Sequence, residues 1–502
     1  MALLQRFVQA CSTAPPRAVI VDGPQRLPYP DLLRRSVGLG LALRQRDKSP
    51  DGHVGIFLPN CWAFVASYFG SLLGAKVPVP LNVLLQPGEI AYILKDARIH
   101  TVLTISMFKP MFEQLAGKLP WEVTPVYLDE MPAPPPGITP PPIDVLIGHE
   151  APDKLACLIY TSGTTGNPKG VMLTYGNLEA NYEGSSRVLD LGTNQDVVVA
   201  QLPLFHSFGM MATMIVPVLD QAPIVMLARF QPQQLLKTLV EEKVTALMLV
   251  APMFGLLCRM LRAKPLDLSA LRICVSGGGP LPPTIEQAWR AITGKDILNG
   301  YGLTEASPVV SNNAPGANKS GTIGRPLHNV TIEIRDADGR ALPAGQEGEI
   351  CVKAESVMKG YLNLEEDTRK AFTPDGLLKT GDLGFLDEEG YLHITGRAKD
   401  LIIFAGENIM PLEIENAILT FPGVAEAAVV GLPDETKGEV PVAAIVALEG
   451  AAIDEGKLRE HLRTMIADFK VPRQFHMLAE LPKNTMNKVL KPKLREMLMA
   501  EA

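Results

Sequence analysis

Short apolar runs alternate with amphipathic stretches along most of the chain. The runs that predict buried strands are residues 53–58, 244–250 and 272–276. The stretches with helical periodicity are Trp62–Leu73, residues 231–243 and Pro283–Thr293. Strands that alternate with helices in this way are typical of parallel sheets covered by helices. The pattern predicts an α/β fold for the large N-terminal part of the chain.

The pattern changes towards the C-terminus. Residues 330–336 and 348–353 predict short strands linked by a hairpin, which indicates a β subdomain. Beyond Gly396 the order becomes helix, strand, strand, helix, at Pro411–Leu419, 424–430, 440–448 and 454–466. This order predicts a small, mobile α+β lid. We therefore divide the chain into a large domain (1–396), a hinge (397–400) and a C-terminal lid domain (401–502).

Other segments limit the class of protein. A chain of 502 residues exceeds one ordinary core, so at least two domains are expected. The apolar stretch 209–228 is interrupted by polar residues and prolines, which favours a buried helix followed by a strand over a membrane span. Residues 132–142 are mostly proline and predict an exposed connector with no helix or strand.

Charge and cysteine usage point to a cytoplasmic protein. The net charge of −7 gives no reason to expect nucleic-acid binding. Six scattered cysteines form no CxxC pair and indicate reduced core residues, with neither zinc nor disulfides. The N-terminus becomes polar too soon for a signal peptide. We expect no transmembrane segment, and a homodimer is compatible with the sequence.

The strongest chemical signal is the sequence YTSGTTGNPKGV at residues 160–171, which follows an apolar run that predicts a buried strand. Small residues and glycines let several backbone N–H groups converge on a polyphosphate, and Lys169 adds a positive charge. The loop lies at a strand end, where open α/β sheets bind ligands. It is not a Walker A loop, because Gly and Val follow Lys169. The alternative is a surface turn of small residues.

Two further motifs supply groups that suit a nucleotide. The sequence NGYGLTE at residues 299–305 offers Tyr301 for stacking on a purine, Thr304 as a hydroxyl and Glu305 as an oxygen ligand for magnesium. The sequence KTGDL at residues 379–383 places Asp382 in a tight turn, where it could accept both ribose hydroxyls. The alternatives are a β-turn with an exposed acid and an Asx-turn.

Two further charged segments, residues 396–400 and 406–415, come next along the chain. Lys488 lies in a basic run near its end. Alone, the first two predict a charged turn and a solvated helix start, and the lysine a surface charge.

Together these segments resemble the adenylate-forming superfamily of acyl-CoA synthetases, luciferases and peptide-synthetase adenylation domains. Within that superfamily the sequence resembles fatty-acyl-CoA ligases most. The resemblance runs from about Leu27 to Lys491. It implies ATP, Mg²⁺ and coenzyme A as cofactor and substrates. It also implies that residues 161–169 hold the β- and γ-phosphates of ATP, a set that comprises Thr161, Ser162, Gly163, Thr164, Thr165, Gly166 and Lys169.

The same resemblance assigns further roles. It places adenine and acyl contacts at Gly278 and Gly279 and nucleotide contacts at Tyr301, Thr304 and Glu305, the last with magnesium. It implies that Asp382 and Arg397 bind ribose, that Lys399 is the hinge between domains, and that Lys488 reaches the acyl carboxylate and the α-phosphate. Relatives commonly have Thr-Gly-Lys where this chain has Met486, Asn487 and Lys488, and Arg where it has Lys491. Asn tolerates positive φ, so the turn before Lys488 can persist.

The identity of the carboxylic acid that the enzyme would activate is less well indicated by the sequence. His206, in the sequence QLPLFHSFG, matches the family segment beside the carboxylate and argues against an amino acid, because relatives that activate amino acids carry Asp there. Its alternative is a core histidine. Met210, Met211, Met214, Met253 and Phe254 could line a pocket for a flexible chain or simply belong to the core.

Three functions remain open from the sequence. The first is activation of a medium- or long-chain fatty acid, or of an aryl acid, as its CoA thioester. The second is transfer of the acyl group to a carrier protein in place of CoA. The third is nucleotide binding without catalysis.

Overall fold

The computed structural model describes residues 2–131, 142–161, 168–192, 196–405, 407–434, 436–483 and 489–501. Its α-helices, in chain order, are α1 Leu3–Ser12, α2 Tyr29–Arg46, α3 Trp62–Leu73, α4 Pro87–Asp96, α5 Lys109–Leu115, α6 Ile143–Ile147, α7 Tyr175–Leu189, α8 Ser207–Met210, α9 Val216–Leu219, α10 Pro232–Glu241, α11 Ala251–Ala263, α12 Pro283–Thr293, α13 Glu365–Ala371, α14 Pro411–Leu419, α15 Glu455–Met465 and α16 Lys491–Glu501. Short 3₁₀ segments lie at Ser106–Phe108, Thr304–Ala306, Ala398–Asp400 and Asp468–Lys470, and a π-helical turn lies at Met211–Ile215.

The strands, in chain order, are β1 Val19–Asp22, β2 Gln25–Pro28, β3 His53–Ile56, β4 Val77–Pro80, β5 Thr101–Thr104, β6 Thr124–Tyr127, β7 Leu155–Thr161, β8 Lys169–Thr174, β9 Val198–Ala200, β10 Ile224–Met226, β11 Ala246–Leu249, β12 Ile273–Ser276, β13 Leu298–Gly302, β14 Val309–Asn312, β15 Arg325–Pro326, β16 Val330–Arg335, β17 Gly348–Ala354, β18 Gly360–Tyr361, β19 Leu378–Leu386, β20 Leu392–Arg397, β21 Ile402–Phe404, β22 Glu407–Ile409, β23 Val424–Asp434, β24 Gly438–Ala447 and β25 Gln474–Met477.

The largest sheet has a parallel centre and antiparallel edges. Its order is β15-β14-β13-β12-β11-β9-β10-β1-β2, in which β1, β10, β9, β11, β12 and β13 run parallel. Every residue of β9, β10, β11 and β12 is buried, as expected for strands covered on both faces. A second sheet, β4-β3-β5-β6, is parallel throughout. These two sheets and their helices confirm the predicted α/β class of the large domain.

Two antiparallel sheets complete the large domain. β16, β17, β19 and β20 form one of them, and β16 and β17 pair along their whole lengths as the sequence predicts. β18, β8 and β7 form the other. The prediction that the apolar strand before the glycine-rich loop ends in an open parallel sheet is therefore wrong. β7 pairs antiparallel with β8, the next strand along the chain, and Thr161 lies opposite Lys169.

The C-terminal part has a core of its own. β22-β21-β24-β23 are antiparallel, and β25 joins β24 in parallel. Buried residues from α14, α15 and these strands form a separate cluster that includes Ile414, Ile418 and Leu458. This confirms a small α+β unit after the β subdomain.

Several predicted segments can now be placed. Residues 209–228 form α8, the π-helical turn, α9 and then β10, which confirms a buried helix followed by a strand. No helix in the described part of the chain is both long and apolar enough to cross a membrane. The proline-rich connector at 132–141 lies outside the described residues. Five cysteines are buried and Cys61 is half-buried, as expected for core residues.

Candidate active site

A buried carboxylate joins two strands of the β subdomain to the main sheet. Asp382 Oδ2 accepts a hydrogen bond from the hydroxyl of Tyr301 at 2.5 Å, and its Oδ1 lies 2.9 Å from Arg397 Nε. The Asp382 side chain is only 7% exposed, so both donors are needed to compensate the loss of water. Burial and the neighbouring Asp382 raise the pKa of Tyr301 well above its usual value, so its hydroxyl remains a donor. The structure thus brings together three of the predicted nucleotide ligands.

Asp382 does not lie in a tight turn, and that prediction is wrong. It lies within β19, directly opposite Arg397 on β20. Gly381 adopts a left-handed φ of +71°, beside a point where the pairing of β17 with β19 is irregular. This irregularity, rather than a chain reversal, is what the glycine provides.

Thr304 and Glu305 form a single 3₁₀ turn that follows β13. Thr304 is buried, and its hydroxyl lies 3.1 Å from the hydroxyl of Ser207. Asn181 of α7 holds this turn from behind, because its side-chain amide donates to the backbone carbonyls of Ala306 and Val309 at 3.1 and 2.7 Å. The turn is therefore rigidly connected to both the main sheet and the segment that carries His206.

Glu305 is half-buried and paired with a tyrosine. The hydroxyl of Tyr361 donates to Glu305 Oε1 at 2.9 Å, and the backbone N–H of Met358 donates to the Glu305 carbonyl. Burial and the adjacent carboxylate raise the pKa of Tyr361 above its usual value. The hydrogen bond from Tyr361 thus fixes the orientation of the Glu305 carboxylate, while the side chain remains partly accessible to solvent.

Lys169 begins β8, and Thr161 ends β7 directly opposite it. The ammonium of Lys169 lies 2.7 Å from Asp367 Oδ2 and 5.1 Å from the centre of the Tyr361 ring. Tyr361 therefore contacts both Lys169, a predicted phosphate ligand, and Glu305, the predicted magnesium ligand. The other predicted loop residues, Ser162, Gly163, Thr164, Thr165 and Gly166, lie outside the described residues.

The glycine turn after β12 leaves room beside the main sheet. A Cβ atom on Gly277 would lie 3.2 Å from the ring of Phe208, so glycine lets the two segments approach closely. Gly278 has φ of +78°, and a Cβ atom there would lie 3.8 Å from Val250. A Cβ atom on Gly279 would meet nothing within 4 Å among the described residues. The turn therefore exposes backbone against which a flat or apolar group can lie.

His206 caps α8 at the edge of this space. Its Nδ1 accepts the backbone N–H of Phe208 at 3.3 Å. Asn60 holds the preceding loop, because its side chain donates to the carbonyls of Ala200 and Leu202 and accepts from the N–H of Leu204. His206 is not part of the buried core, in contrast to the alternative considered from the sequence.

The methionines divide into two groups. Met210, Met211 and Met214 are 0% exposed and belong to the main hydrophobic core, and Phe254 packs edge-on against Trp289 in a second core cluster. Met253 is only partly buried, and its sulfur accepts from the amide of Gln201 at 3.3 Å. Of this set only Met253 is accessible to solvent.

Charged side chains connect the predicted hinge, residues 397–400, to the start of α16. The Lys399 side chain is exposed, yet partial desolvation of its ammonium together with the nearby Arg397 lowers its pKa. Lys491, the position where relatives commonly have Arg, lies 2.7 Å from Glu415 and 4.0 Å from Asp400. Glu415 also accepts the backbone N–H of Val429. These contacts anchor the start of α16; Lys488 and Asn487 lie outside the described residues.

Sequence reasoning missed several residues of this site. Asn181, Asn60, Ser207, Tyr361 and Asp367 all contact a predicted ligand or the loop that carries one. The polar Asn181 within an otherwise buried stretch of α7 is a signal that could have been found, since a buried amide requires partners. Asp367 gave no such signal, because it looks like one of three acids in a helix's first turn.

Comparison with known proteins gives two family matches. Residues 7–362 match the model described as AMP-binding enzyme, and residues 413–488 match the model described as AMP-binding enzyme C-terminal domain. Together they cover most of the chain; residues 363–412, which include Asp382, Arg397 and Lys399, lie between the two matched ranges.

Individual relatives act on different acids. The chain is 38% identical to a sulfoacetate–CoA ligase of Cupriavidus necator, over 88% of this chain and 86% of that protein. It is 32% identical to a long-chain-fatty-acid–CoA ligase of Bacillus subtilis, over 94% of this chain and 90% of that protein. Among solved structures, it is similar to the O-succinylbenzoate coenzyme A synthetase of Bacillus subtilis in complex with ATP and magnesium. There the TM-score is 0.84 at 31% identity, covering 97% and 98% of the two chains.

Proposed function

Since the chain belongs to the AMP-binding enzyme family and is an AMP-forming acid–CoA ligase, we propose that its acid is a medium- or long-chain fatty acid. The enzyme converts this acid to acyl-AMP with release of pyrophosphate. It then transfers the acyl group to the thiol of coenzyme A with release of AMP.

The observation that carries the choice of acid is the apolar border of the glycine turn. The side chains that the structure places against Gly277 and Gly278 are Phe208 and Val250, and the half-buried Met253 lies one turn of α11 beyond Val250. None of these carries a charge that could pair with a second anionic group on the substrate. They favour an acid with an apolar body over a sulfonated or dicarboxylic one.

An aryl acid is the second candidate. The ring of Phe208 beside Gly277 forms one wall of a narrow space, and a flat ring would lie against the glycine backbone there. The similarity to a synthetase that acts on succinylbenzoate is consistent with an aromatic acid. Transfer to a carrier protein in place of CoA is the alternative for the second step.

The first step is opposed by electrostatics. A carboxylate must approach a triphosphate, and two unit charges 4 Å apart repel by roughly 4 kcal/mol at an effective dielectric of 20. Lys169 and the backbone N–H groups of residues 161–167 would hold the β- and γ-phosphates, and Lys488 would lie between the carboxylate and the α-phosphate. Fixed positive groups stabilise the developing charge without reorganisation. No covalent intermediate with the protein is needed.

The remaining ligands position the nucleoside. Asp382 and Arg397 would bind the ribose hydroxyls, Tyr301 would lie against the adenine, and Gly278 and Gly279 would leave room for it. Thr304 would donate to a phosphate oxygen. His206 would face the acyl group or the entrance for the thiol. Lys399 would be the hinge residue about which the lid presents Lys488.

Glu305 suits a magnesium ion that arrives with ATP. Magnesium is usually held by one or two carboxylates together with substrate phosphates, and Glu305 is one half-buried carboxylate with an accessible side chain. No group of three or more His, Cys, Asp or Glu side chains among the described residues could hold a metal ion by itself. When bound, the ion would neutralise part of the phosphate charge.

The choice of acid is tested with ATP, magnesium, CoA and a panel of acids. The panel contains straight-chain acids from two to sixteen carbons, cinnamate, 2-succinylbenzoate and sulfoacetate. A buried methylene gains about 0.8 kcal/mol, which corresponds to roughly a fourfold fall in KM per carbon until the site is filled. Pyrophosphate and thioester are measured. A KM that is independent of chain length, with better turnover of sulfoacetate, would exclude the fatty acid.

The same assay separates the remaining alternatives. Higher kcat/KM for cinnamate than for any straight-chain acid would favour the aryl acid. A holo acyl carrier protein supplied in place of CoA tests the alternative acceptor, and faster transfer to it would overturn CoA as the natural acceptor.

Replacement of Lys488 tests the lysine's assigned role. Lys488→Ala should slow acid-dependent pyrophosphate release by about 10²-fold or more, the scale observed for removing one preorganised donor. Thioester formation from supplied acyl-AMP should be retained. Lys493→Ala is the matched control, because Lys493 is an exposed lysine five residues further along the chain. Equal loss of both half-reactions in Lys488→Ala would contradict the role.

A further inference from the structure

The lysine proposed to hold the triphosphate already has a carboxylate partner. Lys169 Nζ lies 2.7 Å from Asp367 Oδ2, in the first turn of α13. The two side chains are 24% and 34% exposed, so the pair is accessible from the solvent. Lys169 also holds the pKa of Asp367 below its usual value, so this carboxylate is charged at neutral pH.

The position of the pair distinguishes it from an ordinary surface ion pair. The Lys169 ammonium lies over the ring of Tyr361, whose hydroxyl donates to Glu305. β18, which carries Tyr361, pairs with β8, which carries Lys169. Asp367 therefore contacts Lys169, the proposed phosphate ligand, and Lys169 lies over the tyrosine that holds Glu305, the proposed magnesium ligand. A partly exposed pair of this kind contributes little to the free energy of unfolding. It can therefore separate at little cost when another anion binds Lys169.

The carboxylate and the triphosphate require the same cation. A lysine ammonium is a compact point charge on a flexible four-carbon stem, so it can turn from one close anion towards another. If Lys169 turns to a phosphate, Asp367 loses its partner and remains near a highly negative ligand. The two anions then repel each other at close range.

We propose that Asp367 is the counter-ion that the triphosphate displaces from Lys169, and that its carboxylate weakens the binding of both ATP and pyrophosphate. This inference rests on the proposed phosphate-binding role of Lys169. Its consequence is that pyrophosphate leaves more readily after the first step, because Asp367 regains Lys169 as the product departs. Asp367 is a positioning residue and takes no part in bond making.

Asp367→Asn is the variant that tests this. It removes the charge and keeps the shape of the side chain, so KM for ATP and the inhibition constant of pyrophosphate should both fall by roughly threefold to tenfold, the effect of one nearby charge on an anionic ligand. The KM for the acid should stay unchanged and kcat should not rise. A merely structural role for Asp367 would not lower the two phosphate constants while leaving the KM for the acid unchanged.

The neighbouring residue supplies a matched control. Glu366 lies in the same turn of α13 and pairs with Lys370 at 2.6 Å rather than with Lys169. Glu366→Gln changes the net charge by the same amount and should leave both constants as in the parent enzyme. If Asp367→Asn gives a KM for ATP equal to that of Glu366→Gln, or higher than the parent value, the inference is overturned.

A third variant separates this inference from the proposed function. Lys169→Met should raise the KM for ATP, and in that background Asp367→Asn should give a smaller gain, because the competition for the ammonium has been removed. An unchanged KM for ATP in Lys169→Met would refute the phosphate-binding role and the inference together. A raised KM for ATP in Lys169→Met, together with no effect of Asp367→Asn in the parent enzyme, would refute only the counter-ion role.

Discussion

At the scale of single residues, the site depends on a few polar groups that satisfy one another before any ligand is bound. Tyr301 and Asp382 are 81 positions apart, and Asp382 and Arg397 lie opposite each other on adjacent strands. The motifs predicted each residue type and its role separately. They could not predict that Tyr301 bonds to Asp382, because that contact depends on how the β subdomain packs against the main sheet.

Tyr301→Phe tests the importance of this contact. The change keeps the ring but removes the hydroxyl that donates to Asp382, leaving Oδ2 of a buried carboxylate without that donor. We expect a loss of about 1 kcal/mol in the free energy of unfolding. We also expect a rise of several fold, roughly three- to tenfold, in KM for ATP, since the carboxylate is less well held for the ribose. Thermal unfolding and initial rates against ATP concentration measure the two effects.

Tyr391→Phe is the control for this substitution. Tyr391 donates its hydroxyl to the backbone carbonyl of Ala317, and it makes no hydrogen bond to the nucleotide groups that the structure describes. It should lower stability to a similar extent while leaving KM for ATP unchanged. If both variants raise KM equally, the Tyr301 hydroxyl has no specific part in nucleotide binding.

At the scale of elements, the bounds of regular helices were predicted well. The strands that contain or flank the glycine motifs were predicted less well. Trp62–Leu73, Pro283–Thr293 and Pro411–Leu419 have the predicted bounds, and in the last two a proline occupies the first helical turn. Proline there has a suitable φ and no N–H to satisfy, so it marks the helix start in the sequence itself. Such signals are local, which is why they could be recognised without knowledge of the fold.

The errors concern elements whose partners are distant in sequence. β8 pairs on one edge with β7 and on the other with β18, almost two hundred residues later, and so the strands on either side of the glycine-rich segment belong to an antiparallel sheet. Likewise β19 continues through the sequence KTGDL because β17 and β20 pair with it on both sides. Glycine in these segments permitted a turn as well as a bulge, and only the neighbouring strands decide between them.

At the scale of the whole molecule, the chain contains hydrophobic cores that do not share residues. The main core draws on α1, α3, α7 and both parallel sheets, whereas the cluster around Ile414 and Leu458 draws only on elements after Asp400. Gly396 and Met410 meet beside the hinge, where a Cβ atom on Gly396 would lie 2.8 Å from the Met410 sulfur. The small residue at 396 lets Met410 of the C-terminal unit approach the β subdomain closely, and a separate core is what a lid that moves as a unit requires.

If the lid is a cooperative unit bounded by the hinge at 397–400, a cavity in its core should act locally. Leu458 is 0% exposed and lies in α15, and Leu458→Ala should cost about 2–5 kcal/mol. Leu257 is also 0% exposed and lies on helix α11, so Leu257→Ala is the matched substitution in the large domain. Hydrogen exchange of the intact enzyme should rise only within residues 401–502 for Leu458→Ala and only before residue 397 for Leu257→Ala. Because the cavity in the lid leaves the Tyr301, Asp382 and Arg397 contacts intact, the first variant should still bind ATP while losing acid-dependent pyrophosphate release. Faster exchange in both regions for Leu458→Ala would show instead that lid and large domain unfold together, and the lid could not then be an independent moving part.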